Sequence, residues 1–195
     1  MVEKPIFVVP FLPNINLPEE DGMGIERRIR REGDHDHSEN QEESASRKLV
    51  VVVVAYPYLA MADDLCPLEA DDRFDVQWRR ERIPRPYPHT SAVILPGSRW
   101  TRRDLKWIHD SGWGRFLLLH MSKGGAILGL CAGYQMLGRT VDDPLNVEGK
   151  DGSRKGLAFL PVETTMAKAE CKIVTPMKIR SMNASRGQAF ILTVV

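Results

Sequence analysis

Apolar residues in this chain gather into short runs, and the polar stretches between them have helical length. Leu49-Val50-Val51-Val52-Val53-Val54-Ala55 is a continuous run dominated by valine and stopped by Pro57. Such a run predicts a central parallel strand covered on both faces. Residues 63–70 suit a short helix. Phe74-Asp75-Val76-Gln77-Trp78 alternates apolar and polar side chains, as expected of a strand nearer a sheet edge. Ser91-Ala92-Val93-Ile94-Leu95 is a second buried strand, ended by Pro96-Gly97-Ser98. Thr101 is expected to cap a helix running to Asp110, with Gly112 closing it. A further helix over 113–122 leads into a strand over 126–130. Strands separated by helical crossovers predict an α/β fold with an open, mostly parallel sheet and flanking helices. Beyond Pro144 the rhythm weakens: a strand is plausible over 157–165, and 167–195 shows no convincing periodicity.

The residues ahead of position 48 follow a different pattern. Ile6-Phe7-Val8-Val9-Pro10 is strand-like, turn sequence with Pro13 and Pro18 follows, and a helix is expected over 23–31. Positions 32–47 hold acids, serines, Asn40, Gln41 and two histidines, with no aliphatic residue larger than Ala45, which predicts a solvated linker. These first residues lack the apolar content to fold alone and look like the tail end of something. Over the whole chain 43% of 195 residues are apolar, enough for a sizeable core in one domain. The formal net charge of +1 gives no electrostatic case for nucleic acid or an anionic membrane. Cys66, Cys131 and Cys171 form no CxxC pair and suit a reducing compartment. No signal-peptide layout opens the chain, and its longest apolar run has strand length. A soluble cytoplasmic protein without nucleic-acid or membrane partners is expected.

The most informative chemistry lies at Gly129-Leu130-Cys131-Ala132-Gly133. Glycines two residues before and after a nucleophile, between a strand and a helix, form the nucleophile-elbow pattern, here with sulfur in place of a hydroxyl. The elbow lifts the side chain above the sheet edge, and the helix N-terminus beside it favours a thiolate. The plainer alternative is a buried structural cysteine. A thiolate at Cys131 could attack a carboxamide carbon, form a thioester and release ammonia. The oxyanion so formed needs fixed donors. Candidates are the backbone N–H of Ala132 and the Gly97–Ser98 loop, which otherwise is an ordinary strand-to-helix turn. Gln135 lies one helical turn beyond Cys131 and either bonds a substrate amide or sits exposed. A cysteine nucleophile usually works with a histidine. Of the five here, His35, His37, His89, His109 and His120, none follows Cys131, and none is assigned as the base. His35 and His37 without a third ligand make weak evidence for zinc, so no metal site is expected.

Taken together these residues resemble cobyric acid synthase, the glutamine-dependent amidase family of cobalamin synthesis. The resemblance is carried by Val8-Val9-Pro10-Phe11-Leu12-Pro13 with Leu17-Pro18-Glu19-Glu20-Asp21, then by Asp64-Leu65-Cys66-Pro67-Leu68-Glu69-Ala70. It continues through Ile94-Leu95-Pro96-Gly97-Ser98 with Asp104-Leu105. The strongest portion runs from Gly129 to Gly138, with Tyr134-Gln135-Met136-Leu137-Gly138 followed by Asp142-Asp143-Pro144 and Val147-Glu148-Gly149. Gly156-Leu157 and Leu160-Pro161-Val162-Glu163-Thr164-Thr165 complete it. The resemblance implies a class I glutamine amidotransferase fold. It also implies glutamine hydrolysis at Cys131, oxyanion donors at Ala132 and at Gly97 and Ser98, and Gln135 holding substrate. Ammonia would pass to carboxylates of a corrinoid activated by ATP and magnesium in another domain of a complete enzyme, and this chain itself needs no cofactor.

The sequence departs from the family in three ways. Ala132 replaces what is more often glycine, at a position that donates only backbone. No G-x-x-x-x-G-K-[ST] phosphate loop occurs, and no Tyr-Glu-x-His-x-Gly segment, which supplies the family's catalytic histidine, follows Cys131. The expected organisation is 1–31 as the end of an ATP-using synthetase domain, 32–47 as linker and 48–165 as an amidotransferase domain incomplete at its C-terminus. Positions 166–195 form a divergent tail. Impaired turnover follows from those absences. The alternatives are a non-catalytic glutamine-binding or regulatory remnant, an amidotransferase for another acceptor such as cobyrinic acid, or a chain that folds poorly because a sheet edge is exposed.

Overall fold

The valine run folds as β1 (Leu49–Val54), and its place in the sheet explains its composition. In this computed structural model, which describes residues 26, 28, 29, 48–81, 89–150 and 152–167, the strands continue with β2 (Leu59–Ala60) and β3 (Phe74–Arg79). They are followed by β4 (Thr90–Leu95), β5 (Gly97–Ser98) and β6 (Ala126–Gly129). Four of these form a sheet in the order β3-β1-β4-β6, every pair parallel. With a neighbour on each side, β1 is interior, and Val52, Val53 and Val54 have no exposed surface. β3 lies at one edge, where a single residue, Trp78, is buried, as its alternating pattern predicts.

The crossovers carry helices. A 3₁₀ turn (Ala62–Leu65) runs into α1 (Cys66–Glu69), followed by α2 (Thr101–Ser111), α3 (Trp113–Ser122) and α4 (Ala132–Leu137). Leu105 and Ile108 of α2 share one face three residues apart and are fully buried with Trp113 and Leu117 of α3 and Met136 and Leu137 of α4. Each side chain buried this way contributes about 1.5–3 kcal/mol. Gly112, at φ 90°, is the left-handed joint that ends α2 and aims α3. A second, three-stranded sheet follows α4: β7 (Thr140–Asp142) lies between β8 (Arg154–Lys155), antiparallel to it, and β9 (Glu163–Thr165), parallel to it.

Several local expectations need correction. Thr101 does not cap α2. Trp100 occupies the cap without a side-chain bond, and Thr101 is the first helical residue, buried. The orphan amides of Thr101 and Arg102 donate instead to the carboxylate of Glu148, at 3.1 and 3.2 Å. The strand over 157–165 is real only at its end, as β9. Its first part closes the end of α4, where the N–H groups of Leu157, Ala158, Phe159 and Leu160 donate to the carbonyls of Met136, Gly138 and Leu137. Gly97–Ser98 is a short strand paired antiparallel with β2, not an open turn.

Of the helix expected over 23–31, Glu26, Arg28 and Ile29 are described, and all three are helical. Arg28 lies 5.2 Å over the Trp78 ring and pairs with Glu69 at 3.1 Å, which ties this segment to β3 and α1. The expected strand at 6–10, the linker at 32–47 and the tail beyond 167 lie outside the described residues. Among the described residues no helix is long and apolar enough to cross a membrane.

Candidate active site

Strand β6 delivers Cys131 to the carboxyl end of the parallel sheet, where open α/β folds place their ligands. Leu130 N–H donates to Leu95 O at 2.9 Å, extending the β4–β6 pairing to the last residue before the elbow. There the chain turns sharply: Cys131 has φ 50° and ψ −112°, a conformation that costs a side-chain-bearing residue roughly 1–3 kcal/mol. The turn throws the thiol outward, and Cys131 is exposed between a buried strand end and a buried helix. The flanking glycines are required by space. A Cβ at Gly133 would lie 1.9 Å from Leu95 O, and one at Gly129 would lie 2.7 Å from Tyr134 N. The first turn of α4 therefore rests directly on the end of β4.

The loop after β4 is built as tightly. Ser98 Oγ–H donates to Asp104 Oδ2 at 2.6 Å, and the same hydroxyl oxygen accepts Trp100 N–H at 3.0 Å. Tyr58 N–H donates to Asp104 Oδ1 at 3.0 Å. Tyr56, fully buried, donates its hydroxyl hydrogen bond to Pro96 O. Burial foremost, then the charges of Asp104 and Cys131, hold the Tyr56 phenol well above its ordinary range, so it stays a neutral donor. Asp104 is itself fully buried, and that desolvation pushes its carboxyl up to about 6, against the opposing pull of its Ser98 and Tyr58 hydrogen bonds.

The described histidines stand apart from this end of the sheet. His120 Nε2 lies 3.0 Å from Ala126 O, at the start of β6. Cys131 is five residues further along, roughly 15 Å in extended chain. His89 directly precedes β4. His109 bonds Lys155 O at 3.1 Å, eight residues or about 12 Å down α2 from Thr101.

A strained, exposed cysteine on a strand–turn–helix elbow, with a braced loop on the adjacent strand end, has the geometry that thiol attack on an acyl carbon requires. Residues 50–190 match the CobB/CobQ-like glutamine amidotransferase domain family. The chain belongs to that family.

Cobyric acid synthase from Rhizobium etli (strain CIAT 652) is 40% identical over 163 residues, 82% of this chain and 30% of that protein. The cobyric acid synthase of a Bradyrhizobium species (strain ORS 278) is 44% identical over 112 residues, 57% of this chain and 22% of that protein. Among solved structures, PurLQS from Thermotoga maritima overlays with a TM-score of 0.39 at 21% identity, covering 47% of this chain and 43% of that one. The chain spans about a third or less of the length of these curated relatives.

The family takes its description from glutamine amide transfer. Of the residues expected at its site, Cys131 and Ala132 sit together on the elbow, and Gln135 follows on α4, half-buried. Gly97 and Ser98 lie on β5, against which α4 packs. The Ser98 hydroxyl is committed to Asp104 and Trp100. Sequence reasoning assigned no role to Tyr56 or Asp104. Asp104-Leu105 stood among the residues that carry the resemblance, but nothing local signals that a helix carboxylate reaches back to two loops. Beyond the site, Arg102 Nη2 pairs with Asp143 at 2.6 Å, both side chains almost without exposure, and locks the 143–149 loop onto the start of α2.

Proposed function

We propose that this chain hydrolyses, or at least captures, glutamine at Cys131 as the amidotransferase part of a cobyric-acid-synthase-like system. The observation that carries the reading is the exposed Cys131 held at φ 50° on its elbow, within a family defined by glutamine amide transfer. The thiolate attacks the side-chain carboxamide carbon; the tetrahedral oxyanion collapses to a thioester as the C–N bond breaks and the nitrogen takes a proton from solvent water to leave as ammonia. Water then attacks the thioester to release glutamate and the thiol. The N–H of Ala132 opens α4 and has no partner within the helix, which makes it one oxyanion donor. Arg99 N–H donates to Tyr58 O at 2.9 Å. In an alternating antiparallel pair this puts Leu59 and Ser98 out of bonding phase. The Ser98 N–H then points away from β2 and is the second donor. Gln135, one turn along α4, is the residue to hold the substrate amide.

In the complete system ammonia would reach carboxylates of a corrinoid, or of cobyrinic acid in the alternative reading. Residues 1–31 and 32–47 would then be the end of an ATP-using domain and its linker, 48–165 the amidotransferase domain, and 166–195 a divergent tail. ATP and magnesium would belong to the other domain of that complete system; among the described residues no three His, Cys, Asp or Glu side chains are grouped to hold a metal. No step here passes through them.

The described histidines stand away from Cys131, which supports slow turnover. Loss of general-base help costs about 10²- to 10⁴-fold, against typical enzyme rates of about 10 per second. Incubation with glutamine should yield glutamate and ammonia at such a reduced, saturable rate, and Cys131→Ser should abolish it. Saturable glutamine binding with no ammonia would favour a non-catalytic binding domain, the second reading that the histidine positions support. Absence of both would defeat the proposal.

A further inference from the structure

We propose that Asp104 is the positioning residue of the glutamine site: its buried carboxylate fixes the Gly97–Ser98 loop at the height from which that backbone faces Cys131. This rests on the glutamine reading above. Asp104 touches neither nucleophile nor substrate and acts through the loop.

The geometry is a closed set of bonds. Tyr58 follows β1 and Ser98 follows β4, so one carboxylate joins the loops at the carboxyl ends of two adjacent strands, beside the strand that delivers Cys131. Trp100 N–H on Ser98 Oγ and Arg99 N–H on Tyr58 O complete the set. An ionised carboxylate only accepts hydrogen bonds. It therefore takes both donors: the Ser98 proton points at Asp104, and a lone pair of the Ser98 oxygen accepts Trp100 N–H. A protonated acid or an amide can keep the same heavy-atom positions, because the Ser98 oxygen has a second lone pair to accept from residue 104 while the carbonyl oxygen there accepts Tyr58 N–H. A side chain with no polar atom leaves both loops untethered.

The choice of a carboxylate is itself informative. Burying a charge is costly unless it is paired, and among the described residues no Lys or Arg forms an ion pair with Asp104. Arg80 favours its charge at longer range, Glu148 opposes it, and the neighbouring phenol of Tyr56 is neutral. The site depends on where this tether holds the loop, because a displacement near 1 Å can cost about a hundredfold in rate.

The test compares two alkylations of Cys131 in the full chain, by 6-diazo-5-oxo-L-norleucine, an electrophilic glutamine analogue, and by iodoacetamide, which needs no glutamine site. The ratio of their rates removes changes in thiol reactivity. Asp104→Ala, which removes both tethers, should lower the ratio about tenfold to a hundredfold while the thermal transition stays cooperative, and the conservative Asp104→Asn, which can keep them, should restore most of it. Ser98→Ala, which removes one tether, should lower it similarly and serves if Asp104→Ala does not fold. A folded Asp104→Ala or Ser98→Ala variant with the wild-type ratio overturns the positioning role and leaves the glutamine reading intact. A wild-type ratio no higher than that of a denatured control defeats the glutamine reading, and the positioning role falls with it.

Discussion

Cys131 concentrates the tension between stability and chemistry in a single residue. Its φ of 50° with ψ of −112° lies where only glycine is comfortable. The surroundings enforce it: Leu130 is pinned to Leu95 on one side, and Gly133 N–H donates to Leu130 O at 2.8 Å on the other. Cys131→Gly should release strain of roughly 1–3 kcal/mol and lose about 0.5–1 kcal/mol to extra chain entropy. The expected outcome is a protein more stable by about 1 kcal/mol and without thiol reactivity at that position. Urea denaturation of both proteins measures this. A glycine variant less stable than the parent would mean that the elbow is unstrained and that its shape has another cause. This residue was legible from sequence because the signal is local: two glycines, a strand before and a helix after.

At the level of elements, legibility depended on range. β1, β3, β4 and β6 were readable because burial on one or both faces writes itself into consecutive residues. β2, β5, β7 and β8 have two or three residues each, shorter than any window in which a period can be recognised. The start of α2 was misread for a related reason. Thr101 has the right chemistry for a cap, yet the cap comes from Glu148, 47 positions away, held there because Asp143 accepts Val147 and Glu148 N–H at 2.7 and 2.8 Å. Arg102 locks this arrangement through Asp143 and the Gly149 carbonyl. Arg102→Ala would leave Asp143 buried without its cation. A loss of about 3–5 kcal/mol is expected from such a broken pair, measured by denaturant midpoint, with the 143–149 loop becoming protease-sensitive. If the variant unfolds at the parent's midpoint, the loop is held by Glu148 alone and the ion pair is ornamental.

For the whole molecule, the same carboxylate that serves the site weakens the fold, and the sign can be worked out. The folded-state pKa of Asp104 is about 6, against 3.8 for the free side chain. Between those values the native chain holds a proton that the unfolded chain has lost, so Asp104 makes stability fall as pH rises from about 4 to 6. At 1.36 kcal/mol per unit, the loss is on the order of 2–3 kcal/mol once ionisation is complete. His120 works the other way. Its desolvated ring has a lowered pKa, so its contribution grows as pH rises through the ordinary histidine range. A bare pH–stability curve mixes the two. The difference between wild type and Asp104→Asn isolates one: the variant should gain on the parent by about 2 kcal/mol between pH 4 and 7, with His120 cancelling. If the difference is flat, Asp104 ionises normally despite its burial and the buried-charge argument fails. If it rises as expected, burial of the Asp104 carboxyl beneath the candidate site costs the fold stability as that group ionises.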